Sequence, residues 1–241
     1  MQSTPPSGRW YPIVRREELP PRHIFHALLC GKELALWRED SGRVNVWENR
    51  CPHRGLRLTI GGNLGSELRC RYHGWRFAGG SGQCVHIPAN PGETPPQAAR
   101  VVRYPCREAY GFAWVALGGE ASGGAPLPEI EAEASYAGRS LALPTSLQRV
   151  REALAEAGAA PTADPLVLTA VLDLSGPVKT SLLLLPASEE ETWLHGLIHG
   201  THLGAARSAV LQAYARWTKT LRRGLAADND RGATGIEDGA C

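Results

Sequence analysis

The stretch RCPHRGLRLTIGGNLGSELRCRYHGWRF, Arg50 to Phe77, places two cysteine–histidine pairs on short turns. One residue separates Cys51 from His53, two separate Cys70 from His73, and sixteen lie between the pairs. The segment between them, Gly61 to Gly65, is glycine-rich. Thiolate and imidazole are ligands of transition metals, and two like motifs this close together argue against chance. A structural zinc site uses the same four donors. Zinc fingers, however, usually pair Cys with Cys and His with His, at wider spacing within each pair.

Outward from this stretch, residues 8 to 118 read as short strands and turns. Leu34 to Trp37 and Val44 to Trp47 flank Asp40-Ser41-Gly42, a hairpin signal. Val101 to Tyr104 and Phe112 to Leu117 make a second pair around Tyr110-Gly111. Closely spaced strands with glycine turns predict a small antiparallel barrel or sandwich.

From Gly118 to Pro128 the composition changes to Gly, Ala, Ser and Pro, which marks a boundary or linker. Leu147 to Ala157 has the pattern of a short helix. Two apolar runs follow, Leu166 to Leu174 and Val178 to Leu185, and Thr192 to His199 reads as a third strand of the same sheet. After Gly204 the apolar residues Val210, Leu211, Tyr214, Trp217, Leu221 and Leu225 recur at three- and four-residue steps, the signature of a helix packing one stripe on that sheet. Asp230 to Cys241 reads as a frayed tail.

The whole sequence has 241 residues and a formal net charge of +2, so nothing in its charge favours nucleic acid. Lysine occurs only at positions 32, 179 and 219. The longest apolar run, around Leu182 to Leu185, is too short to span a bilayer. Met1 to Gly8 lacks the apolar core of a secretory signal. These features predict a cytoplasmic protein that engages neither membrane nor nucleic acid. The six cysteines form no disulfide framework, and Cys30, Cys84, Cys106 and Cys241 read as isolated thiols.

Cys51-Pro52-His53-Arg54-Gly55 and Cys70-Arg71-Tyr72-His73-Gly74-Trp75 resemble the two cluster loops of Rieske proteins. The surrounding sequence is similar to the oxygenase subunits of Rieske non-heme iron oxygenases, of the vanillate demethylase and phthalate dioxygenase type. Arg9-Trp10-Tyr11-Pro12, Tyr104 to Glu108 and Tyr110 to Val115 carry that likeness. The resemblance implies a [2Fe-2S] cluster, with Cys51 and Cys70 on one iron and His53 and His73 on the other. It also implies that Ile87-Pro88-Ala89 is a third loop shielding the cluster. Respiratory-chain Rieske proteins add a disulfide between the loops, and neither loop here has a spare cysteine.

The expected fold is mostly β with some α: a Rieske [2Fe-2S] antiparallel domain at 8–118, a linker and short helix at 119–164, a truncated catalytic-domain-like sheet with a C-terminal helix at 165–228, and a tail at 229–241. In the family a second domain holds one ferrous iron through two histidines and a carboxylate. Between His86 and His195 this sequence has no histidine, so a mononuclear Fe(II) is not expected in this chain. His195, His199 and His202, and Asp228 from a faint late match, are the remaining candidates for a second site. The function implied is an iron–sulfur oxidoreductase, a component of a Rieske-type monooxygenase, demethylase or ring-hydroxylating oxygenase. It would take electrons from a reductase or ferredoxin and relay them to a mononuclear iron on a partner subunit in a hetero-oligomer. The alternative is a stand-alone ferredoxin-like carrier.

Overall fold

A computed structural model describes residues 8–118, 126–130 and 135–234, with side chains as far as Ala227. The chain divides into two units, Met1–Leu127 and Pro128–Cys241.

The first unit is built from three antiparallel sheets. In one, β1 (Trp10–Arg15) and β10 (Cys106–Ala109) flank β11 (Phe112–Ala116). The β1–β11 register slips between Pro12 and Val14, where proline has no N–H to give the ladder. A second sheet runs in the order β2 (Ile24–Leu29), β3 (Lys32–Arg38), β4 (Val44–Glu48) and β9 (Arg103–Tyr104). The third and smallest consists of β5 (Gly62–Asn63), β6 (Glu67–Arg69), β7 (Arg76–Ala78) and β8 (Cys84–His86).

β3 and β4 are the expected hairpin about Asp40-Ser41-Gly42. Their inward residues include Trp37 and Trp47, which meet edge to face at 5.1 Å and are fully buried. The second expected pairing differs. β11 takes Cys106–Ala109 as its hairpin partner, whereas Arg103–Tyr104 pairs with β4 in another sheet. Pro105 lies between these two short strands, and its carbonyl accepts from the Ala116 N–H. The chain thus changes sheets at a residue that cannot donate.

The second unit is one sheet with two helices. Its strand order is β12 (Ser135–Ala137), β17 (Thr192–His199), β16 (Pro177–Pro186), β15 (Val167–Asp173) and β14 (Ala160–Pro161), with β13 (Leu141–Leu143) also on β17. Leu182 to Leu185 are all buried in β16, which explains an unbroken apolar run where an alternating one would leave one face wet. α1 (Leu147–Glu156) starts at Ser146, whose Oγ accepts from the Arg149 N–H at 3.3 Å, and it buries Val150 and Leu154. α2 (Gly204–Thr234) buries Val210, Ala213, Tyr214 and Leu225. Tyr214 seats over Gly138 and Gly196, where an added Cβ would lie 2.6 and 2.3 Å from its side chain.

Two boundaries differ from expectation. The stretch taken as linker and short helix, 119–164, supplies β12, β13 and β14 to the sheet as well as α1, while 119–125 and 131–134 lie outside the described residues. α2 continues to Thr234, past the expected end at 228. The remaining tail and residues 1–7 also lie outside the described residues. Among the described residues no helix is long and apolar enough to cross a membrane.

Candidate metal centre

The two cysteine–histidine turns have the same backbone construction. The first follows β4, and the second joins β6 to β7. In each, the cysteine N–H donates to a carbonyl five residues on: Cys51 to Leu56 and Cys70 to Trp75, both at 2.8 Å. In each, the glycine four residues after the cysteine takes a left-handed φ, +75° at Gly55 and +71° at Gly74. That conformation disfavours a side chain and lets each loop turn back on its own cysteine. A Cβ at Gly74 would also meet Pro88 Cγ at 2.9 Å, so the Ile87-Pro88-Ala89 segment rests on the second loop.

Cys51 and Cys70 are each 2% exposed and belong to a core that includes Trp37, Trp47, Leu58, Leu68 and Phe77. The histidines reach outward: His53 is half-buried and His73 exposed. Their Nδ1 atoms face each other at 3.2 Å across the two loops. The His53 ring lies flat on the Trp75 indole, with centroids 4.3 Å apart and planes 5° off parallel. Tyr72 stacks on His73 at 3.8 Å.

Electrostatics separate the two donor types. Burial pushes the Cys51 thiol up to about 11, and the adjacent Cys70 sulfur adds to the shift, while the backbone N–H groups of His53 and Arg54 act against it. Those N–H groups would stabilise negative charge on the sulfur once a metal displaced its proton. Partial burial lowers the His53 pKa, and the neighbouring His73 and Arg54 lower it further. A lowered imidazole pKa keeps the nitrogen lone pair free for a metal to lower pH.

The donor set suits two irons better than one zinc. Tetrahedral zinc needs four donors around one point. Here two buried sulfurs adjoin each other and two imidazole nitrogens face each other, the two-plus-two division a diiron–disulfide core requires.

The other candidates are not brought together in this way. His195 and His199 both lie on β17. His195 Nδ1 is 2.7 Å from Ser140 Oγ, His199 Nε2 is 2.9 Å from Ser181 Oγ, and His202 Nδ1 is 3.3 Å from the Tyr136 hydroxyl. Each imidazole thus has a hydroxyl partner of its own. Asp228 falls within α2, and its side chain lies outside the described residues. The residue that spacing did not reveal is Trp75, because its stacking partner is on the other loop; the only local signal was an aromatic closing the second motif.

Residues 9–105, the greater part of the first unit, match the Rieske [2Fe-2S] domain family. The chain is 59% identical over 111 residues to the oxidoreductase NdmD of Pseudomonas putida, an alignment covering 46% of this chain and 19% of that protein. It is 41% identical over 111 residues to the oxygenase subunit of 3-chlorobenzoate-3,4-dioxygenase of Comamonas testosteroni, covering 45% of this chain and 26% of that one. The matched region therefore spans about a fifth to a quarter of these relatives. In fold, apo dicamba monooxygenase is similar over 98% of this chain and 91% of its own, with a TM-score of 0.74 at 19% identity. That likeness is one of fold and extends beyond the Rieske domain.

Proposed function

We propose that the chain is the electron-relaying component of a Rieske-type oxygenase or demethylase, with a [2Fe-2S] cluster held by Cys51 and Cys70 on one iron and by His53 and His73 on the other. The observation that carries this reading is the pair of imidazole nitrogens facing each other across two loops closed by the same cysteine N–H to carbonyl hydrogen bond, each loop backed by a buried cysteine. When bound, such a cluster supplies reversible one-electron chemistry at a potential above that of an all-cysteine cluster.

The chain's own residues set the conditions for that chemistry. The apolar core behind Cys51 and Cys70 keeps water from the sulfur side. The N–H groups of His53 and Arg54 offset negative charge on Cys51, an effect that raises a cluster's potential. His73, being exposed, presents an outer ring edge through which a partner can exchange an electron. Arg54 and Arg71 are exposed beside the two histidines, which favours an electron donor, reductase or ferredoxin, that presents acidic groups.

The relatives' names, an oxidoreductase and an oxygenase subunit, support the oxygenase class over a free-standing carrier. The mononuclear iron that would use the electron is assigned to a partner subunit. Purification under anaerobic, iron-replete conditions should give a coloured protein with about two irons and two acid-labile sulfides per chain. Adding a reductase and an iron-bearing oxygenase subunit should then give substrate-dependent oxygen consumption. A colourless, zinc-bearing protein would overturn the cluster assignment. A cluster that is reduced reversibly yet supports no oxygen consumption with any companion subunit would leave the carrier reading.

A further inference from the structure

The two loops are separate in sequence and share no disulfide, so something else must hold the His53 nitrogen opposite that of His73. Trp75 is built for this. Its carbonyl closes the second loop by accepting from the Cys70 N–H at 2.8 Å. Its indole crosses to the first loop and lies flat on His53, 4.3 Å away and 5° from parallel. The indole itself is partly buried against the core and sits 6.5 Å from the fully buried Phe77 ring. One residue therefore touches the core, the second loop's backbone and the first loop's histidine.

The other aromatic contact has a different reach. Tyr72 stacks on His73, but the two are adjacent in sequence and on the same loop, and Tyr72 is 63% exposed. Such a stack can shade its neighbour without tying one loop to the other. Pro88 rests on Gly74, again on the second loop. Among these contacts the Trp75–His53 stack is the one that bridges the two loops, through a side chain packed against the core.

We propose that Trp75 is a positioning residue of the cluster site: by stacking on His53 across the loops it fixes the plane of that imidazole, and so the direction of its Nδ1 donor, in the place where an inter-loop disulfide would otherwise brace the site. This rests on the ligand assignment proposed above. Tilting His53 would give up the face-to-face contact with the indole, and a tilt would redirect the Nδ1 that would face a bound metal. A wrongly pitched imidazole changes how well the nitrogen lone pair overlaps the metal, as interactions beyond the ligands commonly do.

The test compares Trp75→Leu, Trp75→Phe and Tyr72→Leu in the cluster-loaded chain. The readings are the electron paramagnetic resonance spectrum of the reduced cluster, its reduction potential, and the rate of iron loss to a chelator. Trp75→Leu fills the volume without a ring face and should alter the g-value spread and the potential. It should also release iron roughly two- to tenfold faster, the range set by one aromatic stack. Trp75→Phe, which keeps a face for His53, should fall near the wild type. Tyr72→Leu, which removes a stack within one loop, should speed iron release less than Trp75→Leu does; an equal or larger effect of Tyr72→Leu would count against the proposal.

Trp75→Leu indistinguishable from wild type in all three readings would overturn the proposal. So would a Trp75→Phe protein as altered as Trp75→Leu, because a ring face would then not be what matters. Should Trp75→Leu fail to take up the cluster, Trp75→Phe decides: a native-like spectrum and release rate support the stack, and a changed spectrum in a folded chain rejects it. A wild-type protein without the two-iron, two-sulfide signature would instead be a failure of the ligand assignment, visible before any variant is made.

Discussion

The two loops of the first unit and the histidine-bearing strand of the second use the same residue type in opposite ways. His53 and His73 turn their Nδ1 atoms toward each other, 3.2 Å apart, from separate loops. His195, His199 and His202 each adjoin a separate hydroxyl, on Ser140, Ser181 and Tyr136. A hydroxyl at one ring nitrogen still leaves the other able to bind a metal, so the contrast between the regions lies in where the nitrogens converge. The number of histidines in a region is thus a poor guide to metal binding. Where their nitrogens converge is a better one.

The sharpest way to break that contrast is to remove a donor from each region. Cys70→Ala or His73→Ala should take iron from about two per chain to near none, together with the visible spectrum. His199→Ala should leave both unchanged, as measured by iron and sulfide analysis. Iron retained in His73→Ala, or lost in His199→Ala, would reverse the assignment of roles.

A second pair of changes acts on the strand region alone. Gly196→Ala would put a methyl group 2.3 Å from the Tyr214 hydroxyl, in a gap closed by α2. Such overpacking costs about 1–3 kcal/mol, which should lower the unfolding midpoint of the second unit in calorimetry. Iron content should hold. Ser181→Ala removes the hydroxyl beside His199 and should cost about 0.5–1.5 kcal/mol, the usual net worth of one hydrogen bond. Chemical denaturation of the variant against the parent measures it.

What could be read before the structure follows the range of the forces involved. The Cys–x–His and Cys–x–x–His spacings and the glycines at 55 and 74 are local, because each loop must turn back on its own cysteine within a few residues. The run Val178 to Leu185 and the periodic residues after Gly204 were equally legible, since burial writes itself into spacing. The partner of β11 was not. Val101 to Tyr104 is apolar enough to be its mate, and only the sheet change at Pro105 sends Arg103–Tyr104 to β4 instead. Ser135–Ala137 and Leu141–Leu143 were hidden for a related reason. Three-residue strands have almost no periodicity and owe their place to β17. The Trp75–His53 stack is invisible at sequence level because it joins residues brought together only by the pairing of β6 with β7 and the path out of β4.

The smallest expected effect sharpens the comparison within the first unit, between the loops that carry chemistry and the sheets that carry them. Arg38 on β3 and Glu108 on β10 join two of its sheets through a two-point contact, Nη2 to Oε1 at 2.8 Å and Nη1 to Oε2 at 3.1 Å. The Arg38 hydrogen bonds hold the Glu108 carboxyl below the usual carboxylate range, and the charges of Arg38 and Arg16 lower it further against partial burial. A carboxylate whose pKa is depressed by folding contributes its stability above the unfolded value, near 4.3 for glutamate, and loses it as pH falls through the folded value. Glu108→Gln should therefore cost about 1 kcal/mol or less at neutral pH. The deficit should shrink as the pH is lowered below about 4. Urea denaturation of parent and variant at neutral and acid pH gives that difference. The cluster spectrum at neutral pH should be the same in both, because Glu108 braces the sheets and does not touch the loops. A deficit that grew in acid would show that the Arg38 contact is not what the carboxylate contributes.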